Sequence, residues 1–216
     1  MFKIEKNEPE FFLSAKKNLP LQSDSWGNSQ IQHIRADLAN FILKEQFNLC
    51  IYCEKYVANY PNDCHIDHFK KRSLFPNKTL DYNNLLVSCN KGNRCAKYKD
   101  KKINNHEDYE KIINPVIENP ENFLEYTLFG EIIPKDSLSI EDNQKAEFTI
   151  KIFNLNDKGL VEERKNVIKS LCYMIEYITN LDDIIANGFK QFITLCKWFL
   201  IQKEQIINNK MICNEL

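Results

Sequence analysis

Residues 50–102 decide how this chain is read. They contain Cys50-Ile51-Tyr52-Cys53, Cys64-His65-Ile66-Asp67-His68-Phe69, Asn83-Asn84-Leu85-Leu86-Val87-Ser88-Cys89 and Asn93-Arg94-Cys95, and they end in a lysine-rich run at Lys102. Cysteine pairs bracket an Asp-His dipeptide and an asparagine-leucine run. Structural zinc takes four soft ligands in a closed tetrahedron, and a Cys-x-x-Cys turn aims two thiolates at one ion. Redox use of the same pair would need a βαβ context, which is absent. The favoured zinc set is Cys50, Cys53, Cys89 and Cys95. The gap between Cys89 and Cys95 is wider than usual, so Cys64 or His65 stays open as the fourth ligand. Four protein ligands leave no open position, so this zinc is structural.

Asp67 and His68 invite a second kind of chemistry. Adjacent strand residues face opposite sides, but a hairpin leading into a helix can bring both to one site. The carboxylate suits a hard divalent ion such as Mg²⁺, or Mn²⁺, which keeps waters and phosphate oxygens as its other ligands. A histidine near its natural pKa is the usual general base.

Charge is concentrated in the same region. The whole chain of 216 residues carries a net charge of −1. Between His65 and Lys102 there are ten basic residues and three acidic ones, a local excess of +7. Lys70, Arg94, Lys97 and Lys99 are therefore expected to grip nucleic-acid phosphates, a contact blind to base sequence.

Further out, the chain is globular in composition, with 43% hydrophobic and 27% charged residues. It is long enough for a core without disulfide staples. No apolar run suits a membrane span, and no secretory leader is visible at Met1–Lys6. The expectation is a cytoplasmic protein away from membranes, whose eight cysteines stay reduced. Cys172, Cys196 and Cys213 read as buried or idle thiols. A short element is expected within residues 1–20. Ser29 with Gln32 predicts a capping box opening a helix that ends near Gln46. Leu85–Val87 reads as a buried strand, residues 93–105 as the start of a helix, and 123–134 as a β-hairpin. Helices follow from Asp142 to about Asn154, from Leu160 to about Ile178 and from Asp182 to Ile207. Their aromatic stripes read as core or as a partner face, not as a cofactor site.

The order Cys-x-x-Cys, Asp-His, Asn-Leu-Leu and a later Cys among lysines resembles the HNH (ββα-metal) endonucleases that carry a zinc knuckle. More narrowly, Gln46…Cys50-Ile-Tyr-Cys53-Glu54, His65-Ile-Asp67-His68-Phe69-Lys70 and Asn84-Leu-Leu…Ser88-Cys89 look like the PtuB-type HNH proteins of Septu and retron anti-phage systems. The segments Asn114-Pro115…Asn119-Pro120, Gly130–Pro134 and Leu155-Asn156…Arg164 continue that likeness. The resemblance implies His68 as general base, Asp67 as a ligand of the catalytic metal and Asn84 as the residue orienting the loop. It implies Asn93 as a further metal ligand, although the position after the last cysteine, where the family more often has one, is Ala96. It implies an α+β, mainly helical fold: an N-terminal helical segment (1–45), a zinc-knuckle HNH core (46–105) and a β-hairpin with a helical C-terminal part for partner docking (106–216). The implied function is a phosphodiester-cleaving endonuclease of antiviral defence, acting on DNA ahead of RNA. Its implied partner is a PtuA-like AAA/ABC-type ATPase, with a retron reverse transcriptase and its msDNA as further company. The competing readings are a non-catalytic zinc-knuckle module that binds nucleic acid or an ATPase, and a nuclease acting on RNA such as tRNA.

Overall fold

A computed structural model describes residues 1–208. Among these residues there are seven α-helices and two antiparallel two-stranded sheets, so the chain is mainly helical with a minor β component. Helix α1 spans Glu10–Lys16 and α2 spans Ser29–Glu45. The cap of α2 is Asn28, whose side chain accepts from the Gln30 amide, rather than the expected Ser29 box. Gln32 instead reaches back to the Gly27 carbonyl. Ile31, Leu38, Ile42 and Leu43 bury one face of α2, as their spacing predicts.

The centre of the fold is strand β1 (Cys64–His68), strand β2 (Leu85–Cys89) and helix α3 (Cys95–Lys102). β1 and β2 pair in register from Cys64 opposite Cys89 to His68 opposite Leu85. Leu85, Leu86 and Val87 are fully buried, which is why the β2 run is continuously apolar instead of alternating. Gln46 is buried and braces this sheet, giving to the Val87 carbonyl and accepting from the Val87 amide. Helix α3 packs on β2 and on α4 (Ile140–Phe153).

The expected hairpin is present as β3 (Leu124–Tyr126) and β4 (Ile132–Pro134). Its turn passes through Gly130 at φ 85°, where an added Cβ would sit 2.3 Å from the Val161 carbonyl oxygen. Only glycine permits both that backbone and that approach. Val161 lies on α5 (Lys158–Tyr173), and the buried Arg164 of the same helix donates to the Gly130 and Leu155 carbonyls. Helix α5 ends about five residues earlier than its stripe suggested. The last predicted helix is two, α6 (Leu181–Ala186) and α7 (Ile193–Asn208). Gly188 and Phe192 between them both take positive φ, which a continuous helix cannot contain.

Cys196 is a buried free thiol as expected, whereas Cys172 is disulfide-bonded. The expectation for Cys213 falls outside the described residues. No helix among them is long and apolar enough to cross a membrane.

Candidate zinc knuckle and Asp-His site

The four favoured cysteines meet. The sulfurs of Cys50, Cys53, Cys89 and Cys95 all lie within 4.8 Å of one another and are buried. Cys50 Sγ is 3.8 Å from Cys95 Sγ, and Cys53 Sγ is 3.9 Å from Cys89 Sγ. A tetrahedron with Zn–S bonds of about 2.3 Å has sulfur–sulfur edges of about 3.8 Å. The donor set and its spacing therefore fit zinc. Cys89 is pulled towards the thiolate by hydrogen bonds from Cys50, Cys53 and Cys95, while burial foremost pushes Cys95 up. Cys64 and His65 stand outside the cluster, and His65 Nδ1 lies 2.9 Å from Asn90 Oδ1.

The wide gap closes because Cys95 opens α3 at φ 59°, a left-handed backbone that turns its thiol inward. Glu54 does the same at φ 60° beside the first pair. Its buried carboxylate accepts from the Thr194 amide of α7 at 2.9 Å and from the Thr194 hydroxyl. The knuckle is thus tied to the C-terminal helix. Arg94 is buried beside the thiols and donates to Asp157 Oδ1 at 2.9 Å. Burial disfavours its charge, but Cys53, Cys89, Cys95 and Asp157 outweigh that and hold the guanidinium protonated.

Asp67 and His68 diverge, as strand neighbours must. Asp67 is 3% exposed. Lys99 Nζ contacts both its oxygens, at 3.2 and 3.0 Å, and the Tyr52 hydroxyl donates to Oδ2. The ammonium also donates to the carbonyls of His68 and Phe69. The carboxylate accepts on both oxygens, and the cation it meets is Lys99. Asn93 donates through Nδ2 to Asp157 Oδ2 at 2.7 Å, and Ala96 offers no ligand atom. The residues present do not fit a divalent ion on Asp67.

The His68 imidazole is buried in another way. Its Nε2–H donates to the Thr79 carbonyl at 2.9 Å, and its ring meets the Trp26 ring edge-on at 4.6 Å. A carbonyl can only accept, so Nε2 carries the proton and Nδ1 holds the free lone pair. Nδ1 has no hydrogen-bond partner among the described residues. Burial above all lowers the His68 pKa to about 4, against the opposing pull of Thr79 and Asp67. The ring is neutral at neutral pH.

Asn84 holds the loop that holds His68. Its Oδ1 accepts from the Lys70 amide at 2.8 Å, and its Nδ2 donates to the Lys70 and Lys78 carbonyls, each at 3.0 Å. Both ends of the 70–79 loop are pinned by one side chain, one residue short of Thr79.

The four expected phosphate contacts divide. Lys97 is exposed, and Lys70 is partly exposed with Glu110 at 3.3 Å. Arg94 and Lys99 are buried against Asp157 and Asp67, so neither presents its charge to a ligand. Sequence reasoning passed over Tyr52, Trp26 and Thr79. Tyr52 lies inside the Cys-x-x-Cys and stacks on Phe153 at 4.2 Å. Trp26 and Thr79 carry no local sign of their role, since they reach His68 only through the folded chain.

No family model matches the chain. It is similar to two proteins named Septu protein PtuB. The one from Bacillus mycoides (strain KBAB4) is 29% identical over 155 residues, covering 60% of this chain and 50% of the relative. The one from Bacillus thuringiensis is 26% identical over 131 residues, covering 61% of this chain and 43% of the relative. A protein of Vibrio cholerae serotype O1 biovar El Tor named retron Vc95 putative HNH endonuclease is 28% identical over 147 residues, covering 67% and 69%. The chain spans half or less of the length of the two PtuB relatives. These relatives bear out the likeness read in the sequence: the chain is similar to proteins named Septu protein PtuB and to one named as a putative HNH endonuclease of retron Vc95.

Proposed function

We propose that the chain is an HNH-type endonuclease that hydrolyses nucleic-acid phosphodiesters with His68 as general base. The observation that supports this most is the held imidazole, with Nε2 donated to Thr79 and the loop behind it pinned by Asn84. A water oxygen attacks phosphorus, its proton passes to His68 Nδ1, and the P–O3′ bond breaks with the electron pair leaving on the 3′-oxygen. Solvent protonates that oxygen. The approaching phosphate anion raises the pKa of the buried ring and so strengthens it as a base. Asn84 is a positioning residue in this scheme. Lys70 and Lys97 contact flanking phosphates. A Mg²⁺ or Mn²⁺ requirement is read directly by adding each ion to the assay; no step here is routed through an ion on Asp67.

The zinc knuckle holds β2, α3 and the 50–54 turn together and is structural. DNA is the expected substrate ahead of RNA. In a defence system of the Septu or retron kind, the chain would act beside a PtuA-like ATPase, with the α6–α7 end as its docking side. Nicking of supercoiled plasmid by wild type and by His68→Ala tests the catalytic part, and co-purification with such an ATPase tests the partner.

One observation favours a second reading, a zinc-knuckle module that binds nucleic acid or an ATPase without cutting. It is the closure of Asp67 by Lys99. That reading predicts zinc and binding without cleavage under any ion.

A further inference from the structure

Two arginines reach the turn that packs on His68 without a carboxylate partner. Lys70, Lys78, Arg94 and Lys99 each meet a carboxylate, in Glu110, Asp81, Asp157 and Asp67. Arg35 on α2 and Arg72 in the loop after β1 form no ion pair among the described residues. Both donate instead to backbone carbonyls of one turn, Ser23–Gly27: Arg35 to Trp26 and Arg72 to Ser23 at 3.1 Å.

That turn carries Trp26, whose ring meets both Arg35 and the base. The Arg35 guanidinium sits 4.9 Å from the Trp26 ring centroid, and the same ring meets His68 at 4.6 Å. Arg35 Nε is buried with no hydrogen-bond partner, and so is Thr79 Oγ1, on the residue whose carbonyl holds His68. Arg72 feels burial first and then the repulsion of Arg35, both lowering its pKa, while Asp100 pulls the other way. Asp100 is itself 3.3 Å from Lys99. Two guanidiniums without an ion pair therefore share the turn whose Trp26 packs on the imidazole, and Arg72 is within electrostatic reach of His68.

A bound anion would compensate the two guanidiniums. A guanidinium presents a planar fork that matches two oxygens of a phosphate, and paired charges set where negative charge develops are the usual stabilisers of phosphoryl transfer. With Asp67 committed to Lys99, these arginines bring positive charge to the Trp26 side of the base without a paired carboxylate. We propose that Arg35 and Arg72 form a guanidinium clamp, built on the Ser23–Gly27 turn, that receives a nucleic-acid phosphate next to His68. As a statement about the scissile phosphate it rests on the nuclease reading; as a phosphate site it does not.

The test measures binding separately from cutting. Fluorescein-labelled DNA duplex and single-stranded RNA are titrated in EDTA over a salt series, against wild type, Arg35→Gln and Arg72→Gln. Glutamine keeps a donor for the Trp26 or Ser23 carbonyl and removes the charge. Each change is expected to weaken binding about tenfold and to lower the slope of log affinity against log salt by about 1. Arg35→Lys and Arg72→Lys should restore the slope, which a merely structural role would not explain. Should Arg35→Gln melt early, Arg72→Gln, on a loop, still decides. Unchanged slopes in both glutamine variants overturn the clamp, as does a wild type that binds neither probe. Wild type that binds through the pair but never nicks plasmid defeats the nuclease reading and leaves the clamp. Glutamine variants that bind and nick like wild type defeat the clamp and leave the nuclease reading.

Discussion

The ammonium of Lys99 lies 3.0 Å from Asp67 Oδ2, with the lysine side chain wholly buried and that of Asp67 2% exposed. Truncating one member of a buried pair strands the other charge in a low-dielectric interior, at a cost of about 3–5 kcal/mol. Lys99→Met should therefore lose stability on that scale in urea unfolding. Adding Asp67→Asn should recover part of the loss, because the stranded charge is gone. A Lys99→Met chain as stable as wild type would show that the pair carries no such weight.

The zinc knuckle predicts one zinc per chain by elemental analysis. Cys89→Ala should lose the metal and most of the cooperative melt, since free energy of binding at such a site is folding free energy. Cys64→Ala should keep a full complement, because Cys64 stands outside the cluster. Zinc lost equally from both variants contradicts the assignment.

Asn84 makes three bonds to the backbone of residues 70 and 78. Removing them leaves buried groups unmet at about 1–3 kcal/mol in total, after relaxation of the loop. Asn84→Ala should melt earlier by that measure and cut more slowly at saturating substrate. Asn84→Asp keeps the acceptor for the Lys70 amide and loses both donors, so it should be no better than alanine. A loop role is refuted if Asn84→Ala raises KM alone and leaves kcat and the melt untouched.

The burial of His68 has a pH signature. Its pKa falls from an ordinary 6.5 to about 4 on folding. Between these values the unfolded chain binds the proton and the folded chain does not, so stability rises with pH across that window. The contribution is complete above pH 6.5 and is lost as pH falls towards 4. It amounts to about 3 kcal/mol at 1.36 kcal/mol per unit. His68→Gln should flatten this part of the stability curve. A wild-type curve already flat between pH 6.5 and 4 would mean the imidazole is not held as described.

Much of the centre was legible because its signals are local. The cysteine spacing favoured the four sulfurs that cluster while leaving the fourth open, the apolar run named β2, and the α2 stripe named its buried face. The Lys99 role was not read, yet a signal existed. Lys99 is four residues after Cys95, one helical turn along the same face of α3 as a zinc ligand. Of lysines 97, 99, 101 and 102, that phase leaves Lys99 and Lys102, of which Lys102 lies in the last turn and is exposed, and it becomes visible only once the start of α3 is known. Arg94 misled for a related reason: its charge answers the thiolates and Asp157, which the linear sequence does not place beside it. The break between α6 and α7 was hidden because Ile185, Phe189, Phe192, Cys196 and Phe199 keep helical spacing across it, while the positive φ at Phe192 comes from tertiary packing against Glu54, whose carbonyl accepts the Phe192 amide at 3.0 Å.

The central claim is that His68 is the base of a phosphodiester hydrolysis, and plasmid nicking measures it most directly. Purified wild type and His68→Ala, matched for zinc content and melting behaviour, are incubated with supercoiled plasmid with Mg²⁺, with Mn²⁺ and with EDTA. Wild type should convert supercoiled to open-circular DNA, and His68→Ala should be slower by about 10²–10⁴-fold, the usual worth of a general base. Equal nicking by His68→Ala and wild type would contradict the account.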